Sequence, residues 1–551
     1  MAEETRYRFG PREQRGVIAG WRVGQLGSIA LGLIVAVLAL RAQSNVAGIF
    51  TAALAIGSSA AFSFWPISGR TGDEWLPSVV RWCGMNILGR RVERSTLATA
   101  GEIVVIDVCK AESKNSGVSS SALSLVRKIN PFENRTTFAG LKILRVDSRS
   151  DSAIPMTIGV IHDVYSRTFT AVLKISGHSF ALLSPSEKQQ RISGWSSALA
   201  SLSREGGIIR RLQWIASTIP DDASALSEYF SKNRVLDDES QACKSYQSLL
   251  QSTGTNACRH EVRLAVQIKN DRTIAKVMKQ LGGGTVGACA ILSRETAALR
   301  RYLDDVDICV EGLLGPEELY AELRSLISGN EISFPEDPLL RNVGIGALKA
   351  ESSTVQLEPV SRHVKRIRPR RSEESFDREI GRSPWPIAIS SQWSRVQTDD
   401  FWHATYWIAE WPRIDVSSDF LGPLLLSTVR RSVSVIMEPL TPTQAIRQVE
   451  HARTADLADN ELRRRGGFLN TARRSRESAG VVRREGELAD GHASFRFSGF
   501  VTISASTIDM LEEACAITEQ HAGQCRLELR RLYGDQAVAF TYSLPLGRGL
   551  S

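Results

Sequence analysis

Cysteine is sparse and unordered in this chain of 551 residues: the eight are Cys83, Cys109, Cys243, Cys258, Cys289, Cys309, Cys515 and Cys525, with no Cys-x-x-Cys pair and no repeated interval. That spacing suggests neither a disulfide framework nor a zinc knuckle, and it predicts reduced, mostly buried thiols. Nucleotide and hydrolytic signatures are missing too. No G-x-x-x-x-G-K-[ST] occurs, so no phosphate-cradling loop of that type is encoded, and there is no G-x-S-x-G elbow. His260-Glu261 opens an H-E-x-x-H, but position 264 is Leu264. Gly282, Gly284 and Gly287 satisfy G-x-G-x-x-G with Asp307 downstream. A helical pattern over 271–281 precedes them where a dinucleotide site needs a strand, so the glycines read as a helix stop and loop. His403 and His492 stand singly, the pattern of structural histidines. The expectation is a protein without enzymatic chemistry, cofactor or metal.

Charge is absent from two long runs. Residues 23–40 hold only Gln25 and Ser28 as polar groups, and 46–65 carry no charge, while the mean hydropathy of -0.13 conceals both. A bilayer span takes roughly 20 apolar residues, so a transmembrane hairpin is predicted, with residues 41–45 as its turn. Arg6, Arg8, Arg12, Arg15 and Arg22 precede it, Arg70, Arg81, Arg90, Arg91 and Arg94 follow it, and Arg41 alone occupies the turn. The positive-inside rule then places both chain ends in the cytoplasm of a protein of the inner, or cytoplasmic, membrane. The first run is too long for a signal-peptide core and no clean Ala-x-Ala site follows it. Small residues recur at every fourth position, Gly16, Gly20 and Gly24 and then Ala53, Gly57 and Ala61, a spacing that suits close helix packing within the hairpin or against a partner. Residues 66–91 read as a turn and an amphipathic helix, with Trp75, Leu76, Val79, Val80, Trp82 and the arginines at headgroup level.

The remaining sequence is a mixed body. Strand-like runs at 103–108, 157–161, 169–175, 208–215 and 262–268 alternate with helical stretches at 188–203, 288–303 and 316–327. The fold class expected is an α/β (α+β) cytoplasmic body behind an N-terminal two-helix hairpin, divided as 1–95, 96–345, a charged linker over 346–384, and 385–551. The linker carries Arg362, Lys365, Arg366, Arg368, Arg370 and Arg371, ordinarily a solvated run and otherwise a contact for nucleic acid or anionic lipid. Beyond it, Trp385, Trp393, Phe401, Trp402, Tyr406, Trp407 and Trp411 predict core aromatics on strands. Strands at 405–409, 433–437, 500–504, 526–529 and 537–543, a helix from 442, an arginine-rich helical hairpin and a helix at 508–521 suggest a ferredoxin-like unit with a long helical insertion.

Two spans followed by Pro66, Gly69, Arg70, Glu74 and Trp75 resemble the small PrgI-type inner-membrane subunit of conjugative and type IV secretion systems. The body resembles the non-catalytic N-terminal part of TrbE/CagE-type secretion ATPases, through Arg484, Glu485, Glu487, Leu488, Gly491 and His492, the strand at 500–504 and the helix from Ile508. Residues 544–550 fall where such an ATPase would continue into its motor domain. The combination looks like actinobacterial conjugation-locus membrane proteins that join both parts. The resemblance implies a non-enzymatic scaffold, contacting membrane lipid and other membrane subunits in an oligomeric apparatus, that anchors or docks a separate P-loop ATPase. An EccE-type component of type VII secretion, also a hairpin with a cytosolic domain, is the alternative.

Overall fold

A computed structural model describes residues 23–42, 45–65, 71–87, 89, 91–94, 104–107, 137–149, 155–176, 183–220, 229–231, 233, 240–254, 258–329, 384–465 and 472–550. The basic cluster Arg362 to Arg371, with nearly all of the predicted linker, lies outside them, as do Gly16, Gly20, Pro66, Gly69 and Arg70. The two charge-free runs form antiparallel helices, α1 (Val23–Ala42) and α2 (Val46–Phe64), followed by α3 (Gly72–Ile87). Both are long and apolar enough to cross a membrane. The rest is α+β, a large sheet with helices on its two faces.

Fourteen strands among the described residues make one sheet, antiparallel except where β2 (Val104–Asp107) runs beside β3 (Leu141–Arg149). Its inner part is a plan used twice. In the first unit, β5 (Thr168–Ser176), α4 (Pro185–Leu202), β6 (Ile209–Pro220), β7 (Cys258–Lys269), the long helix at Gly284–Asp305 and β8 (Cys309–Leu313) follow each other as βαββαβ. Between β6 and β7 lies α5 (Gln241–Gly254); α6 (Ala275–Gln280) precedes the long helix, which is α7, and α8 (Pro316–Ser328) follows β8. The spatial order is β8-β5-β7-β6, the 4-1-3-2 order of a split βαβ unit.

The second unit repeats it. Here β11 (Phe401–Glu410), α9 (Gly422–Leu425), β12 (Arg431–Pro439), β13 (Phe495–Ala505), the helix at Ile508–Gln524 and β14 (Glu528–Arg531) are ordered β14-β11-β13-β12. The insertion between β12 and β13 is a helical hairpin, α10 (Pro442–Arg465) and α11 (Ala472–Ala489), which makes the later helix α12; α13 (Gln536–Phe540) closes the series. Each unit is also entered through a meander, β3 and β4 (Pro155–Asp163) before β5, and β9 (Ala388–Ser391) and β10 (Val396–Thr398) before β11. In both, the outer edge of the first strand is shared between the meander and the fourth strand. The units meet through counterpart strands: β6 pairs antiparallel with β12, Leu212 opposite Met437 and Thr218 opposite Arg431. This is the geometry of an isologous dimer contact within one chain. The sheet therefore passes without a break from the 96–345 region into the 385–551 region, and β1 (Val92–Arg94) joins it at the far edge by pairing with β9.

One face of the sheet carries α4, α6 and α7 over Leu212, Leu264, Val266 and Ile268, and α9 and α12 over Val433, Val501 and Ile503. The other face is covered by α8, α13 and the last residues of the chain, over Ile143, Ile161, Val172 and Ala265. A strand was expected at 537–543. Instead α13 and a turn occupy it, because β14 already pairs with β11 and the Gln536 amide takes the next position on that edge, accepting from Thr405 N at 2.9 Å and donating to Thr405 O at 3.2 Å. Beyond α13 a strap crosses the junction. Gln213 Nε2 donates to Ser434 Oγ, Tyr542 O and Leu544 O at 2.8–3.0 Å, and its Oε1 accepts from Gly547 N at 2.7 Å. Gln267 donates to Leu546 O at 2.7 Å, and Arg548 binds Asp163. A Cβ on Gly547 would lie 2.6 Å from Gln267 Nε2 at a φ of +61°, so this crossing point requires glycine.

Gln213 is fully buried, so truncating it leaves carbonyls and an amide of the strap unpaired. Gln213→Ala is expected to cost about 3 kcal/mol, seen as a lower urea midpoint of the solubilised protein; an unchanged midpoint would show that the strap is not held this way.

Candidate functional site

The site the residues single out is the join between the helical hairpin and the body. Within the hairpin, Gly32 of α1 meets Ser59 of α2 so closely that a Cβ would stand 2.5 Å from the serine Cβ. Ser59 Oγ donates to Ser28 O at 2.7 Å, the Ser28 and Ser63 hydroxyls pair at 2.5 Å, and Gln25 Nε2 donates to Ser63 O at 3.1 Å. Ala36 and Ala52 are buried. The polar groups of an otherwise apolar pair thus satisfy one another, each such bond contributing about 1 kcal/mol in a membrane-like setting. The small residues singled out by spacing divide. Gly24 packs on Asp73 of α3, whereas Ala53, Gly57 and Ala61 face outward, and Gly57 has no atom within 4 Å of its Cβ position. The seam runs instead through Ser28, Gly32, Ala36, Ala52, Ser59 and Ser63.

Helix α3 fixes this pair to the sheet. Its start is tied to the hairpin: a Cβ on Gly72 would lie 2.6 Å from the Phe62 ring, and Thr71 accepts from the amides of Glu74 and Trp75 at 3.0 and 3.2 Å. Its length is then laid on the second unit. Trp75 stacks on Trp393 at 5.9 Å and meets Tyr533 at 5.4 Å, Trp82 abuts Trp393 edge-on at 5.6 Å, and the Arg91 guanidinium lies 4.5 Å over Trp82. Arg81 pairs with Asp535 at 3.0 Å, and Glu74 with Arg530 at 3.6 Å. Gly534, at a φ of +79°, admits Ser78 O to 3.0 Å of its Cβ position. Glu93 of β1 then accepts from Thr137 N at 2.7 Å. Trp75, Trp82, Arg81 and Arg91 were expected among lipid headgroups; they are engaged with the body, because Trp393 and Tyr533 offer rings at stacking distance, each pair contributing about 1 kcal/mol beyond its burial.

The C-terminal motif residues hold the α10–α11 insertion. Glu485 pairs with Arg453 across the two helices, Glu487 with Arg483 at 2.8 Å along α11, and Leu488 packs against Val449, Ala452 and Val481. Arg484 lies on the same helix. Gly491, at a φ of +90°, ends α11: its N–H donates to Leu488 O at 3.1 Å and that of His492 to Glu487 O at 2.9 Å, a Schellman stop. The motif is thus a helix-pair clamp followed by a helix terminator.

The residues suspected of chemistry have structural surroundings. Gly282, Gly283 and Gly284 adopt positive φ in the turn from α6 to α7, Gly287 lets α7 approach Met278 O, and Asp307 pairs with Arg191 at 2.8 Å. His260 and Glu261 lie on β7. His403 is fully buried, with Nε2 3.1 Å from Ile327 O and 2.6 Å from Thr398 Oγ1, and Nδ1 2.8 Å from Ser504 Oγ. Because Ile327 O only accepts, Nε2 carries the proton and Nδ1 accepts from Ser504. Burial holds this imidazole neutral, its pKa pushed down to about 3, and burial likewise lowers His162 to about 4. Among the described residues no cluster of three or more His, Cys, Asp or Glu side chains is placed to hold a metal ion. No protein-family model matches the chain, and no curated protein matches it.

Two outcomes follow from this geometry. A double-mutant cycle on Trp75→Ala and Trp393→Ala is expected to give a coupling of about 1 kcal/mol, with tryptic cleavage after Arg81 and Arg91 accelerated in either single variant; additive effects with unchanged cleavage would contradict the socket. Since His403 and His162 titrate lower in the folded than in the unfolded chain, the unfolded state takes up protons first on acidification. Their contribution is complete above about pH 6.5 and declines as pH falls towards 4 and then 3. The thermal midpoint should drop between pH 7 and 4.5, and less steeply in His403→Asn than in the parent.

Proposed function

We propose that the chain is a membrane scaffold subunit of a type IV-like conjugation or secretion apparatus, anchored by α1 and α2 and holding its body in the cytoplasm to dock a separate P-loop ATPase. The observation that carries the anchoring is that the two apolar helices are joined by their own polar seam and otherwise exposed: Leu31, Leu33, Ile34, Leu54 and Phe50 are among the large apolar side chains left exposed. A soluble core helix would have these groups covered, and in water their exposure is unfavourable by about 25 cal/mol per Å². The arginines before α1 and after α2 orient the hairpin with both chain ends inside.

The docking role rests on the resemblance of the 484–492 motif and of the body to the non-catalytic part of secretion ATPases, in a sequence with no phosphate-cradling loop of its own. The structure-bearing roles of Gly284, Asp307 and His403 agree with a subunit that positions partners. Oligomeric partners within the membrane would meet the outward stripe of Ala53, Gly57 and Ala61.

The test is purification of the intact chain from native membranes, with a variant lacking 23–65 as control. A stoichiometric P-loop ATPase is expected with the intact chain, hydrolysing ATP, while the chain alone hydrolyses none. Absence of any such ATPase would overturn the docking role. Turnover by the chain alone, lost in Asp307→Asn, would overturn the non-enzymatic one.

A further inference from the structure

The second face of α3 is left exposed by the described residues. Leu76, Val79, Val80, Cys83 and Ile87 recur at intervals of three, four and seven residues and form one stripe of about 100° on the helix. All are exposed, Leu76 by 51%, Val80 by 61% and Ile87 by 83%. The opposite face, with Trp75, Ser78 and Trp82, is the one laid on Trp393, Tyr533 and Gly534. The helix therefore has one side committed to the body and an aliphatic side left exposed among the described residues.

What covers that side follows from where the helix starts. Gly72 abuts Phe62, in the last turn of α2, and Asp73 abuts Gly24, in the first turn of α1. The first turn of α3 is thus level with the same end of both apolar helices, which under the reading above is the cytoplasmic boundary of the bilayer. We infer that α3 lies in that boundary with Leu76, Val79, Val80, Cys83 and Ile87 inserted among phospholipid acyl chains, so that the sheet is seated directly on the leaflet. The inference rests on α1 and α2 crossing the membrane. Amphipathic helices of this kind bury their apolar side roughly 5–10 Å into the headgroup and acyl boundary. The usual arrangement puts aromatic rings at that level; here the rings bind the body and short aliphatic chains face lipid, so α3 serves as a gasket between protein and membrane.

Cys83 is a native reporter at the centre of the stripe. In the full chain with Cys109, Cys258 and Cys309 changed to Ser, bimane attached to Cys83 in phospholipid nanodiscs is expected to be quenched by lipids brominated near the headgroup several-fold more than by aqueous iodide. A second chain, Leu54→Cys in a Cys83→Ser background, reports on the span. Iodide quenching at Cys83 with lipid quenching at position 54 would overturn the seating while leaving the anchor intact; iodide quenching at both would overturn the anchor itself. Protection of Cys83 from both quenchers would overturn it in favour of a protein cover, such as a second copy. Val80 is 61% exposed, so Val80→Asp leaves folding in place; it should move the Cys83 probe towards iodide, and an unmoved probe counts against lipid contact.

Discussion

The packing of Trp75 on Trp393 and Tyr533 makes one object of two parts that have little else in common. On one side is a pair of apolar helices closed by serine hydroxyls; on the other is a sheet whose core clusters include no residue of that pair. Neither part needs the other to bury its own interior. Among the described residues α3 and β1 join them, and the join is strong because it is redundant: rings, the Arg81–Asp535 pair, the close approach at Gly534 and the β1–β9 ladder all act along the same twenty or so residues. Loss of one contact weakens the mount, whereas a flexible tether would have had none to lose.

The sheet achieves its size by repetition. A single βαββαβ unit leaves its second strand at an edge, where unpaired amides and carbonyls invite association with another chain. Here the two units use those edges on each other, β6 against β12, and the strap from the second unit crosses onto the first, held by Gln213 and Gln267. The insertions between second and third strands, α5 in one unit and α10–α11 in the other, are where the units differ most. On the proposed reading, this is the part free to vary with the partner being docked.

Much of this was legible in the residues, and what was missed has physical causes. Charge-free runs and alternating strand patterns are local, so both long helices, the principal strands and the second unit's plan could be read directly. The repeat was not, since its two copies share strand order and not residues, and strand order is set by long-range ladders. The segment at 537–543 has the composition of a strand; whether an edge is available for it depends on β14 and Gln536, which composition does not reveal. Trp75 and Trp82 were read for lipid because their partners, Trp393 and Tyr533, lie hundreds of residues away. The glycines at 282–284 were read correctly as a turn because the helix before them is a local signal.

The central claim is that the hairpin is mounted on the sheet rather than tethered to it. Pulsed electron paramagnetic resonance between spin labels at Ser58→Cys in α2 and Lys276→Cys in α6, with Cys83, Cys109, Cys258 and Cys309 changed to Ser and the full chain in nanodiscs, measures this directly. A single narrow distance distribution, broadened by Trp393→Ala, is the predicted result. A broad distribution in the chain that retains Trp393 would contradict it.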